Sequence, residues 1–142
     1  MNLQRTIQRA VTGAHRRVFE VSKGRVGGRA MGMPVVKLTT TGRKSGQRRD
    51  TMLTSPVRDG DRIVLVASNG GAEQHPAWYL NLLQDPHATA TTSGRTQAMI
   101  ARTASPEEKA ELWPRIVSAY QGYAGYQTKT DRNIPVVILE PA

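Results

Sequence analysis

Cysteine is missing from the 142 residues, which excludes disulfides, thiolate metal sites and cysteine nucleophiles. Histidine is scarce. His15, His75 and His87 are scattered without H-x-x-x-H or histidine–carboxylate spacing, so no protein metal site is expected. No apolar run approaches the roughly 20 residues of a membrane span, and no apolar signal-peptide core is visible. The expected location is the cytoplasm. No Ser/His/Asp arrangement or close carboxylate pair stands out, which disfavours hydrolysis. A chain without conspicuous acid–base groups often leaves its chemistry to a bound cofactor.

Acidic residues are nearly absent from the first third. Residues 1–49 hold twelve Lys/Arg against Glu20 alone, a net charge of +11, whereas residues 50–142 hold eight basic and ten acidic residues, a net of −2. Such asymmetry points to an anionic partner: nucleic acid, membrane headgroups or a multiply charged small molecule. Nucleic acid is disfavoured, because binding it calls for aromatics among the basic residues, and Phe19 is the one aromatic of residues 1–49.

The basic excess culminates in Thr39-Thr40-Thr41-Gly42-Arg43-Lys44-Ser45-Gly46-Gln47-Arg48-Arg49, between two strand-like runs. Two glycines allow a tight turn that shows backbone N–H groups outward, the hydroxyls of Thr41 and Ser45 add donors, and Arg43, Lys44, Arg48 and Arg49 add charge. The spacing is not that of a Walker loop. Such a hairpin either holds a phosphate or polycarboxylate or is a solvated basic turn.

The length is that of one domain, with one plausible internal boundary. Residues 3–21 predict a helix, with Leu3, Ile7, Val11, Ala14, Val18 and Val21 on one face and Arg5, Arg9, Arg16 and Arg17 opposite. It either packs on the domain or rests peripherally on the inner face of an anionic membrane. Lys23–Gly32 is glycine-rich and basic, a flexible connector, so residues 1–32 divide from a domain at 33–142. There the expected strands are 35–40, 48–57, 62–68, 88–92, 96–103 and 134–139. Helices are expected at 76–83 and from the Ser105-Pro106-Glu107-Glu108 start to about Tyr120, bent near Pro114. This is a mainly β chain with helical insertions (α+β), a small antiparallel barrel.

Three further stretches carry candidate chemistry. Ser68-Asn69-Gly70-Gly71 ends a buried strand, and is either a plain turn or a place where a flat ring approaches the backbone beside the Ser68 hydroxyl. In His75-Pro76-Ala77-Trp78-Tyr79-Leu80-Asn81-Leu82 the i, i+4 pair Trp78 and Leu82 fits core packing, while the helix start could face an anion or ring carbonyl. Tyr120, Tyr123 and Tyr126 fall in a glycine-punctuated segment that reads as a lid-like loop, offering flat walls and phenol donors or simply packing.

Taken together, TTTGRKSGQRR, RDGDR, VASNGG, HPAWYLNL, SPEEKAELWP, the spaced tyrosines and TDRNIPVVILEP resemble the deazaflavin (F420)-dependent nitroreductase family, the FDOR-A group of actinobacterial F420-dependent reductases, over residues 33–142. The resemblance implies a split β-barrel like that of FMN-binding flavoreductases. It also implies coenzyme F420, whose phosphate and oligoglutamate tail would meet the basic turn. By that resemblance Arg43, Lys44, Ser45 and Arg49 hold the tail. Ser68, Asn69, Ala77 and Trp78 line the deazaflavin, and Tyr120, Tyr123 and Tyr126 face the substrate. Hydride would pass to a quinone, an α,β-unsaturated carbonyl or a nitro compound, with Ser68, Tyr120 or Tyr123 as the catalytic groups. Where nitroimidazole-reducing relatives have a Tyr-containing strand, this chain reads Asp50–Val57, so Thr54 or Ser55 takes the place of an aromatic wall. An FMN-dependent reductase of the same barrel, and a non-enzymatic basic module for anionic membrane or nucleic acid, are the alternatives. A homodimer is open.

Overall fold

The computed structural model describes residues 29–142. The helix expected at 3–21, and with it the membrane contact, lies outside the described residues. No helix among the described residues is long and apolar enough to cross a membrane.

Eight strands run β1 (Arg29–Ala30), β2 (Met33–Thr41), β3 (Arg48–Thr54), β4 (Val57–Asp59), β5 (Arg62–Val66), β6 (His87–Thr92), β7 (Arg95–Thr103) and β8 (Val136–Pro141). Three helices are inserted: α1 (Ala77–Gln84), α2 (Pro106–Ala119) and α3 (Gly122–Thr128). Every pairing is antiparallel, in the order β1-β2-β6-β7-β8-β5-β4 with β3 also on β2. The expected mainly β barrel is therefore present.

Both faces of β5 and β8 are covered, which explains why Arg62–Ser68 reads as an unbroken apolar run rather than an alternating one. Ile63, Leu65, Val137 and Leu139 pack with Val36, Leu38, Met99 and the α1 residues Trp78, Tyr79 and Leu82. Val64, Val66 and Val136 point the other way, against Met33, Ile116 and Tyr123. Helix α2 starts on a capping box: the Ser105 Oγ accepts from the Glu108 N–H at 3.2 Å, and the Ser105 N–H donates to the Glu108 carboxylate at 3.0 Å. It runs on through Pro114 to Ala119.

Three local expectations need correction. The strand expected over 48–57 is two strands, because Pro56 offers no N–H to a ladder, and the chain turns where the Ser55 N–H donates to the Pro34 carbonyl at 2.9 Å. Residues 29–32, assigned to the connector, form a short hairpin with β2, Ala30 opposite Met33. The glycine-punctuated segment is helix α3 rather than a loop. A Cβ at Gly122 would strike the Tyr120 ring, so this glycine lets the ring lie close against the helix start instead of breaking the helix, while Gly125 has open space around it.

Candidate active site

Three cavities join end to end along β3 and the Ser68 turn. The first, about 280 Å³, is walled by Met31, Val35, Thr54, Tyr120, Tyr123 and Tyr126. It shares Leu53, Val66, Ser68 and Gly70 with a second of about 470 Å³, which adds Asn69, His75, Ala77 and Trp78. The second shares Thr51, Ala77 and Trp78 with a third of about 250 Å³, lined by Arg43, Lys44, Ser45, Arg49 and Asn81. The result is one trough with a tyrosine end, a flat middle and a basic end.

At the basic end the turn is closed by main-chain hydrogen bonds, Gly42 N–H to Gln47 O at 2.7 Å and Gly46 N–H to Gly42 O at 2.8 Å. The Ser45 Oγ accepts from the Gln47 N–H at 3.2 Å. Asn81, 4% exposed on the buried face of α1, accepts from Arg43 and donates through Nδ2 to Thr40 Oγ1 at 3.1 Å. No carboxylate lines this cavity. Among the described residues none of Arg43, Lys44 and Arg49 forms an ion pair with one. The N–H groups of Gly42, Arg43, Gly46 and Gln47, expected to face outward, are instead spent inside the protein, and it is three uncompensated cations that fit an anionic tail carrying several charges.

In the middle, Asn69, Gly70 and Gly71 have φ of 48°, 64° and 84°. Three successive left-handed residues turn the chain sharply at the strand end and leave Ser68 on the wall of both neighbouring cavities. Its hydroxyl has no partner among the described residues. Pro76 caps α1 without a side-chain bond, so the N–H groups of Ala77 and Trp78 lack helical partners at the joint of the middle and basic cavities. Bare backbone donors, a glycine turn and Trp78 fit a flat ring with carbonyl oxygens.

At the far end the three tyrosine rings touch one another, with centroids 5.5, 6.4 and 6.0 Å apart. The Tyr123 hydroxyl lies 3.0 Å from Thr54 Oγ1, and burial pushes its pKa up. A hydrogen bond with Tyr120, and then burial, pushes Tyr126 up. Ser55, expected beside Thr54 at the substrate, does not line the cavity. It is 1% exposed, and its hydroxyl donates to the carbonyls of Val64 at 2.7 Å and Val57 at 3.0 Å, which fixes the β3–β4 corner.

Residues 11–141 match the F420H(2)-dependent quinone reductase family. The chain belongs to that family. It is therefore a member of a family of oxidoreductases whose reductant is the reduced deazaflavin F420H2, which decides between the deazaflavin and FMN readings. The chain is 36% identical to an F420H(2)-dependent quinone reductase of Mycobacterium tuberculosis over 98% of each sequence. Among solved structures it is similar to an F420-H2 dependent reductase, FDR-A, at 42% identity and a TM-score of 0.69 over 75% of this chain and 94% of that one. It is also similar to a protein described as a domain-swapped dimer, at 36% identity and a TM-score of 0.71, covering 94% and 98%. A pyridoxamine 5′-phosphate oxidase-related, FMN binding protein of Nostoc punctiforme, 13% identical with a TM-score of 0.52, shares the fold alone.

Sequence reasoning missed several wall residues of this family member's trough. Asn81 had a signal, a lone amide three positions after Trp78 on a buried helical face. Thr51, Leu53 and Met31 had none, since they reach the trough through strand register and the β1–β2 hairpin.

Proposed function

We propose that the chain uses F420H2 to reduce quinones, with enones and other electron-poor carbonyls as a second acceptor class. The observation that carries this reading is the continuity of the basic, flat and tyrosine-lined cavities, in the order a charged tail, a tricyclic ring and a planar acceptor require. Arg43, Lys44, Ser45 and Arg49 hold the tail. Ser68, Asn69, Ala77 and Trp78 hold the ring.

When bound, the reduced cofactor supplies a hydride. Thr54, Tyr120, Tyr123 and Tyr126 stack the acceptor and exclude water. A quinone accepting a hydride needs one proton to become a hydroquinone, and phenols held above their ordinary pKa stay protonated at neutral pH and can donate it. The Ser68 hydroxyl, free of other partners, hydrogen-bonds the oxygen on which charge develops. Nitro compounds are a weaker fit, because Thr54 offers a hydroxyl where an aromatic wall would stack them. A homodimer is proposed from the domain-swapped relative and is checked by light scattering.

The test is a titration of the purified protein with oxidised F420, with its tail-less chromophore and FMN as comparisons, followed by anaerobic turnover of F420H2 with a soluble benzoquinone. Saturable F420 binding that weakens with salt and with Lys44→Ala, together with quinone-dependent oxidation, is expected. Binding of FMN in preference to F420, or a tail-less chromophore that binds as tightly as F420, would overturn the assignment.

A further inference from the structure

Arg132, in the segment between α3 and β8, reaches back to the Ser68 turn. Its Nη2 donates to the Ser68 carbonyl at 2.8 Å and the Ala67 carbonyl at 3.2 Å, and its Nε to the Ala72 carbonyl at 2.8 Å. Its Nη1 lies 3.0 Å from His75 Nδ1. A guanidinium has five donors and no acceptor. Nδ1 must therefore accept, and the proton of a neutral His75 sits on Nε2.

The groups that face His75 are the Arg132 guanidinium and, from α1, the Tyr79 ring, edge-on with centroids 5.0 Å apart. Burial, and then the Arg132 charge, holds the His75 pKa below its ordinary value, so the ring is neutral at pH 7. His75 lines the middle cavity with Ser68, Ala77 and Trp78, and its Nε2 has no partner among the described residues.

We propose that Arg132 is a positioning residue that fixes His75 as the Nε2–H tautomer, and that His75 thereby offers a hydrogen-bond donor to an acceptor atom of the ring bound against Ser68, Ala77 and Trp78. The proposal rests on the reading that F420 lies in the trough. The same arginine holds the Ser68 carbonyl, so one side chain fixes Ser68 and His75 relative to each other. Lysine could not replace it, since a single ammonium cannot span four acceptors on one turn. The arrangement also ties the middle of the trough to its tyrosine end. Gln127 of α3 donates to the Arg132 carbonyl at 2.8 Å and accepts from the Ile134 N–H at 3.2 Å, so the segment carrying Arg132 is anchored to the helix carrying Tyr123 and Tyr126.

Long-range 1H–15N spectra of ¹⁵N-histidine-labelled protein, recorded from pH 5 to 8 without ligand, read the tautomer directly. Wild-type His75 is expected to show a protonated Nε2 and a bare Nδ1 with a midpoint below about 6.5. Arg132→Lys is expected to lose the tautomer preference and raise the midpoint. A wild-type Nδ1–H tautomer overturns the proposal. Because changes at Arg132 also loosen the turn, His75→Phe and His75→Gln provide the second arm. F420 binding is expected to fall about tenfold in His75→Phe, the loss of one hydrogen bond to a buried acceptor, and to stay within about threefold of wild type in His75→Gln, which keeps a donor. His75→Phe binding as tightly as wild type overturns the donor role while leaving the cofactor assignment intact. Wild-type protein that binds no F420 overturns the cofactor assignment, and the donor role with it.

Discussion

The Oδ1 of Asn81 accepts twice from Arg43, from its main-chain N–H at 3.2 Å and from its Nη1 at 3.1 Å. One buried amide on α1 thus fixes both the backbone and the side chain of the turn's first cation. Its other end is held by Thr40 at the base of the turn. Asn81→Ala leaves the Thr40 hydroxyl and the Arg43 N–H without a protein partner, at a cost of about 1–3 kcal/mol. Chemical denaturation is expected to show that loss. A titration is expected to show F420 bound about tenfold more weakly, with the tail-less chromophore bound as before.

Tyr123 is the most buried of the three tyrosines, at 5% exposure, and its hydroxyl is shared with Thr54. Tyr123→Phe is expected to keep cofactor affinity and lose quinone turnover by about one to two orders of magnitude, the lower range of a general-acid contribution. Thr54→Val keeps the phenol and removes its partner, and is expected to lose less. Unchanged turnover in Tyr123→Phe would exclude that phenol as the donor and leave Tyr120 and Tyr126.

Gly71 combines a φ of +84° with close packing. A Cβ there would lie 2.9 Å from both Lys129 Cβ and the Tyr126 carbonyl. Gly71→Ala is expected to destabilise the fold by at least about 1–2 kcal/mol from backbone strain alone. It also pushes the Ser68 turn away from α3, so thermal denaturation and F420 affinity are expected to fall together.

Glu108 is held at about 2, below its ordinary 4.5, first by its hydrogen bond to Arg102 and next by the Ser105 N–H. The folded state thus favours the ionised form. That stabilisation is complete above the unfolded pKa near 4.5 and is lost as pH falls through the window from 4.5 to 2. Glu108→Gln keeps the cap geometry but removes the negative charge beside Arg102, whose Nε also donates to Glu140 at 2.8 Å. Its Tm is expected below wild type at pH 7 and to converge on it near pH 2. A gap that persists in acid would assign the effect to packing.

Much of the fold was legible because its signals are local. The Ser105-Pro106-Glu107-Glu108 helix start and the apolar strand at 62–68 are each written in residues that lie next to one another. So is the basic turn, whose glycines and charges are contiguous. The misreadings fell where distant residues decide. Gly122 looked like a helix breaker until the Tyr120 ring was placed over it, and Ser55 looked like a pocket residue until its hydroxyl found the Val64 carbonyl.

The sequence by itself determined the chemistry on offer: no thiol, a polybasic turn, a Ser-Asn-Gly-Gly strand end, three spaced tyrosines and a family whose reductant is F420H2. Composition and short-range spacing carry that information, because a residue's functional groups and its local backbone preferences do not depend on the rest of the chain. Only the tertiary structure decided that these pieces form one trough in a fixed order, that Asn81 and Arg132 hold its two working turns, and that His75 stands in its wall with a defined tautomer. Those facts depend on contacts between residues 38 to 65 positions apart, and such pairs meet through sheet register and helix docking, which no short window of sequence specifies.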